Sequence, residues 1–242
     1  MRYFSVLLLL VLLSTAPQAQ LMKPAVSAPT NPGPNDTLVT FDPDNQKREL
    51  LIVKNGNGVI LSRGYRLNGL KDGVWREYNQ YGTVTRSDEY KKGRKSGATL
   101  LFSQQGLLMM DFNYLNDTLE GQQTTYLTNG HIKLIENYKH GLLEGQRKSF
   151  YDDSKVQEES FYKNGKRNGV CTWYAQSGKP SIEYTYSNGV LNGTVKEFDS
   201  DGFVKRDGQY VNDNEEGEWN EYDKDEVVKR IIYKNGNVVR VK

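Results

Sequence analysis

One cysteine, Cys171, and two histidines, His131 and His140, are all that 242 residues offer of thiol and imidazole. A single thiol excludes an intramolecular disulfide, and so small a supply of Cys and His argues against a structural zinc site. Charge of one sign is missing too. The 32 basic residues are interspersed with 30 acidic ones, which leaves no basic footprint for nucleic acid. No apolar run reaches the roughly 20 residues that a bilayer-spanning helix needs. Proline is scarce and lopsided: six of the seven lie before residue 44, and the seventh is Pro180. The proline-poor remainder is what a hydrogen-bonded sheet requires, because proline removes a donor from the ladder. Nucleophile-elbow, phosphate-loop, H-E-x-x-H and dinucleotide motifs are absent as well. The chain therefore reads as non-catalytic, without cofactor or metal. Asp199-Ser200-Asp201-Gly202 resembles the opening of a calcium loop, but Phe203 and Val204 follow where ligands should continue.

Glycine and tyrosine are what the chain has in quantity, 23 and 16 residues, over an apolar content of only 36%. This composition points to an all-β protein with a thin core. Residues 1–19 read as a secretory signal: Arg2, an apolar run from Phe4 to Leu13, then small residues up to Ala19. The expected product is exported to the periplasm, the cell surface or the medium. Residues 20–43 hold Pro24, Pro29, Pro32, Pro34 and Pro43 among Ala, Ser, Thr and Asn, and read as a flexible linker.

From residue 69 a 24-residue repeat takes over. Gly73, Gly97, Gly121, Gly145, Gly169, Gly193 and Gly217 are strictly spaced. Five residues after each stands an aromatic: Tyr78, Phe102, Tyr126, Phe150, Tyr174, Phe198 and Tyr222. A second aromatic column follows at Tyr90, Tyr114, Tyr138, Tyr162, Tyr186, Tyr210 and Tyr233, the last one place early because unit seven is a residue short. Gly69, Gly93, Gly141, Gly165 and Gly189 precede the units, with Asp117 and Asp213 replacing Gly in two of them. Gly and Asn-Gly at such intervals mark tight turns between short strands. Each unit is thus two antiparallel strands and two turns. The spacing predicts a capping hairpin over 44–68, seven repeats over 69–236 and a closing strand over 237–242, about 17 strands in all. At roughly 4.8 Å per strand the expected architecture is an elongated, single-layer, twisted antiparallel sheet, about 80 Å long before twist. Two packing expectations accompany it. The strict glycines leave room for a neighbouring ring, and the aromatic columns stack into ladders along the sheet.

The unit Tyr162-Lys163-Asn164-Gly165-Lys166-Arg167-Asn168-Gly169 followed by Trp173-Tyr174 resembles the variant MORN repeat of bacterial repeat proteins, many of them catalogued as antitoxin-like. That resemblance implies a β-hairpin repeat fold and a scaffold or interaction role. The leading expectation is a non-catalytic, exported module that binds an unidentified protein partner. The alternatives are a neutraliser of a partner toxin and an envelope or carbohydrate binder. Trp75, Trp173 and Trp219 are the candidate binding surface, because indole rings make good contact area. Lipid or glycan binding has weaker support, since the basic residues show no cluster. Cys171 shares a column with Trp75, Val195 and Trp219 and reads as a small packing residue.

Overall fold

The computed structural model describes residues 36–42 and 44–242, and all of the regular structure there is β. The expected signal and all of the linker up to residue 35 lie outside the described residues. The linker expectation needs one correction. Asp36–Asp42 (β1) is a strand, paired antiparallel with Asn45–Lys54 (β2). Its Thr, Val and Phe residues favour extended backbone, and no proline falls between 36 and 42 to interrupt the ladder.

The other strands follow in order. They are Ile60–Leu67 (β3), Leu70–Tyr78 (β4), Val84–Lys91 (β5), Arg94–Phe102 (β6), Leu108–Leu115 (β7), Thr118–Leu119 (β8) and Gly121–Tyr126 (β9). Next come Ile132–Lys139 (β10), Leu142–Leu143 (β11), Gly145–Phe150 (β12), Val156–Lys163 (β13), Lys166–Arg167 (β14) and Gly169–Tyr174 (β15). The series ends with Pro180–Ser187 (β16), Val190–Phe198 (β17), Val204–Val211 (β18), Asn214–Asp223 (β19), Glu226–Lys234 (β20) and Asn237–Val241 (β21). All 21 segments belong to one open sheet, and chain neighbours are sheet neighbours throughout. The two-residue segments β8, β11 and β14 lead directly into β9, β12 and β15. Eighteen rows therefore stand where about 17 were expected, and β1 is the extra one.

The strict glycines have a different purpose from the one expected. All seven have positive φ, from 70° at Gly73 to 133° at Gly193. Arg63 pairs with Arg76 and Tyr65 with Asp72, so Gly64 alone faces residues 73–75. The same surplus recurs opposite Glu89 and Thr185, and in β8/β9, β11/β12 and β14/β15 it breaks the strand. These are bulges that need left-handed backbone, which glycine adopts without strain. A side chain at Gly145 would meet nothing within 4 Å. Room for a ring is instead made by Gly64 and Gly208, which lie directly beneath the indoles of Trp75 and Trp219.

Two kinds of turn close the hairpins. One border of the sheet carries two-residue turns with both residues at positive φ, such as Asn68 (53°) and Gly69 (74°), or Asn116 (51°) and Asp117 (68°). This is the turn whose twist matches that of the strands. The opposite border carries five-residue connections built on a four-residue turn, as in Asn79–Gly82, where the Gly82 N–H donates to the Asn79 carbonyl at 3.0 Å and Asn79 Oδ1 accepts the N–H groups of Tyr81 and Thr83 at 3.0 Å each. Asp199 does the same for Asp201 and Phe203, so the calcium-loop resemblance dissolves into turn chemistry. The short seventh unit replaces its four-residue turn by Lys224-Asp225, both at positive φ.

Candidate interaction surface

Strand alternation gives the sheet two unlike faces. The first carries Trp75, Thr99, Gln123, Arg147, Cys171, Val195 and Trp219, and all but Arg147 are buried. Trp219, Val195 and Ile231 pack with Tyr184, Tyr210 and Tyr233 into its main apolar cluster. Cys171 has no exposed surface and pairs across the strand with Tyr184, as a small packing residue should. Burial raises its thiol pKa, which keeps it unreactive.

Charged groups close the rest of this face. Asp88, 4% exposed, is held by Arg86, by the Lys95 ammonium at 2.9 Å and by the Thr99 hydroxyl at 2.8 Å. Burial by itself would raise the Asp88 pKa, but these hydrogen bonds outweigh it and bring the value to about 2. Arg147 lies between Glu136 (3.1 Å) and Glu158 (3.0 Å), and Arg167 reaches Glu158 at 2.8 Å. Arg206 bonds Glu215 at 2.9 Å and the Tyr233 hydroxyl at 3.2 Å, while its guanidinium lies 4.2 Å from the Trp219 ring centre.

The Tyr90 column lies on this first face and the Tyr78 column on the second. Rings of one column do not stack on each other as expected. Two strands separate them, roughly 9.6 Å, and ring pairs need 4.5–7 Å. Residues of the intervening strand fill the gap. Lys71 sits 4.7 Å from the Tyr90 ring, Lys95 lies 5.1 Å from Tyr114, and Trp219 stands between Tyr210 (5.3 Å) and Tyr233 (5.8 Å). Consequently Trp75 (7% exposed) and Trp219 (1%) leave the candidate binding surface, since their indoles are enclosed by neighbours on their own face. Trp173 is half-buried, edge-on to Tyr184 at 5.9 Å with Arg167 over its ring. The three indoles do not converge on one site.

On the second face the Tyr78 column remains half-buried, and some of its hydroxyls reach carboxylates, as Tyr222 does to Asp207 at 3.0 Å. Here the structure opens two shallow grooves related by one repeat. One of about 430 Å³ is lined by Arg76, Val84, Ser87, Leu100 and Phe102. The next, about 260 Å³, is lined by Leu107, Leu108, Tyr126 and Leu127. Val84 and Leu108 are equivalent, as are Phe102 and Tyr126. Arg76 is exposed and has no ion pair among the described residues. Sequence reasoning missed these grooves, because lining them takes the half-buried aromatic column together with residues that vary from unit to unit. It also missed Gly64 and Gly208, although each stands 11 residues before a Trp of the same column.

Among the described residues no helix is long and apolar enough to cross a membrane, and no cluster of His, Cys, Asp or Glu is placed to hold a metal ion. His131 places Nδ1 3.0 Å from the Asp152 carbonyl, and His140 is exposed beside Glu120. No curated protein matches the chain. Three consecutive segments, residues 119–140, 143–164 and 167–188, match the MORN repeat variant model, and this stretch of the sheet is built of MORN-variant repeats.

Proposed function

We propose that this chain is an exported, non-catalytic scaffold that binds a protein partner on the second face of its sheet. The observation that carries the reading is the pair of grooves one repeat apart, each with an aromatic ring and aliphatic walls, on the face that the chain does not close with its own side chains. Apolar pockets flanked by a cation and hydroxyls suit an extended segment of another protein. A toxin would occupy the same grooves, so neutralisation is one case of this reading. Glycan stacking has less support, because all three indoles lie on the first face, Trp75 and Trp219 buried and Trp173 edge-on to Tyr184.

Capture of partners from the native cell envelope tests it, comparing the wild type with Leu100→Glu and Arg76→Glu. A partner retained by wild type and lost from both variants, with unchanged circular dichroism, is the expected result. Equal capture by all three would remove the groove from the interface. Export is tested separately. N-terminal sequencing of the protein from its own cells should begin at or near Gln20, and recovery of Met1 would refute the signal reading.

A further inference from the structure

The two borders of the sheet carry opposite charge in matching order. On the two-residue-turn border, Lys91, Lys92 and Arg94 stand at one turn, Lys139 two turns on, and Lys163 with Lys166 at the next. All are exposed, and among the described residues none is in an ion pair. The skipped turn carries Asp117 instead. Glu120 and Glu144 lie behind this border, accepting the N–H groups of His140 and Asn164. On the four-residue-turn border, Asp152 and Asp153 come first, then an uncharged turn followed by Lys179, then Asp199 with Asp201, and last Asp223, Asp225 and Glu226. Lys155 pairs with Asp153 at 3.1 Å, and Lys224 accompanies the last turn, yet each of these acidic turns stays net negative.

The signs run plus, minus, plus, plus along one border and minus, plus, minus, minus along the other. The offset is a constant 60 residues: 91 to 151, 139 to 199, 163 to 223. Turns of both borders belong to one sheet and repeat at the same spacing, roughly 9.6 Å. We propose that two copies of this chain associate side by side, their units running in the same direction, with the basic border of one on the acidic border of the next. In the opposite direction Asp117 would face Asp199 and Asp201, a like-charge clash. Because the contact joins unlike surfaces it does not close, and it builds staggered open assemblies. The grooves reach the four-residue-turn border at the connections 79–83, 103–107 and 127–131, but none of the charged residues named here lines them, so the charge pattern stands without the groove reading.

Sedimentation of the full chain at ~0.1 mM in low salt and in ~1 M salt, where charges are screened beyond about 3 Å, reads the prediction. Mass should grow with concentration in low salt and fall to the monomer in high salt. Association through apolar surface would respond to salt in the opposite sense and would overturn the proposal. K91E/K92E/K163E and D152K/D201K/E226K should each be monomeric, at least tenfold weaker in self-association, with unchanged circular dichroism. An equimolar mixture of the two should assemble, since one then carries acidic and the other basic borders. A monomeric wild type in low salt, or assembly that persists in either variant alone, would refute it. So would a monomeric wild type whose basic border binds only a polyanion such as heparin.

Discussion

At Gly208 a methyl group would sit inside the indole of Trp219, whereas at Gly145 it would meet open space at φ 88°. The two sites therefore fail for different reasons. Gly208→Ala should cost about 1–3 kcal/mol by overpacking, and Trp219→Leu in the same chain should recover part of that loss. Gly145→Ala should cost about 1–2 kcal/mol as left-handed strain, and Gly145→Asn should cost less, because Asn tolerates that region. Urea midpoints of the variants check both. Asp88 makes a pH prediction. Its pKa falls from 3.8 unfolded to about 2 folded, so its stabilisation is present above pH 4 and is lost as pH drops toward 2. The amount is about 2 kcal/mol. Unfolding measured from pH 5 to pH 2 should show this loss in the wild type and not in Asp88→Asn, which is less stable throughout because Arg86 and Lys95 lose their partner. Tyr210 predicts the alkaline side. Burial, then Glu215, raises its pKa to about 12 against the pull of Arg206. Stability should decline as pH climbs from 10 to 12, because the unfolded chain ionises there before the folded one, and the late part of a tyrosinate absorbance titration, which Tyr138 and Tyr184 share, should be smaller by one phenol in Tyr210→Phe.

Ladder pairing joins each row to the next, and bonds from the two-residue turns reinforce it by reaching across one strand. The Gly93 N–H donates to the Lys71 carbonyl at 2.8 Å, Gly141 to Leu119 at 2.9 Å, and Gly165 to Leu143 at 2.9 Å. Each two-residue turn thus latches onto the preceding unit, and the bulge at the strict glycine gives the strand the extra length that lets this happen. Asp117 and Asp213 tighten the latch. Asp117 donates its N–H to the Lys95 carbonyl at 2.9 Å while its Oδ1 accepts the Lys95 N–H at 2.8 Å. Asp213 and Leu191 form the same two-way clasp. These residues look like defects in a glycine column and are additional bonds. Asp117→Gly restores the common residue yet should destabilise by about 1 kcal/mol, the net value of a hydrogen bond. Hydrogen exchange at the Lys95 amide should rise in that variant and stay unchanged at Leu191.

Since each row pairs only with the rows before and after it, the whole sheet should behave as a chain of locally coupled units. Deleting β21 from Asn237 should expose Tyr233 and fray the last unit, leaving protection around Cys171 and Thr99 unchanged. Uniform loss of protection along the chain would mean a single cooperative body instead. The ends and the middle are also closed by different means. Lys71 lies 4.5 Å over Trp75 with Gly64 beneath it, an ionic chain runs through Arg147, Glu158 and Arg167, and an aromatic cluster surrounds Trp219. Local stability should therefore respond to salt most in the middle, where charges hold the face together, and least around Trp219.

Periodicity alone determined the strands, the turns and the unit length, because a glycine at positive φ and an Asn-Gly turn are local requirements that recur wherever the backbone does the same thing. Tyr78 and Tyr90 could be placed in columns, and Cys171 recognised as packing, on that basis. The purpose of the strict glycines could not be read this way. A bulge is a mismatch between two strands, visible only when Arg63 is set against Arg76 and Tyr65 against Asp72. Nor could the fate of the indoles be read, since Trp75 and Trp219 are buried by the particular Lys, Arg and Tyr residues that the twist brings over them. Burial in a one-layer sheet depends on side chains from neighbouring rows lying down along it, and only the three-dimensional register says which ones do. For the same reason the open grooves beside Phe102 and Tyr126 emerged from the structure: they mark where those neighbouring side chains leave the second face uncovered.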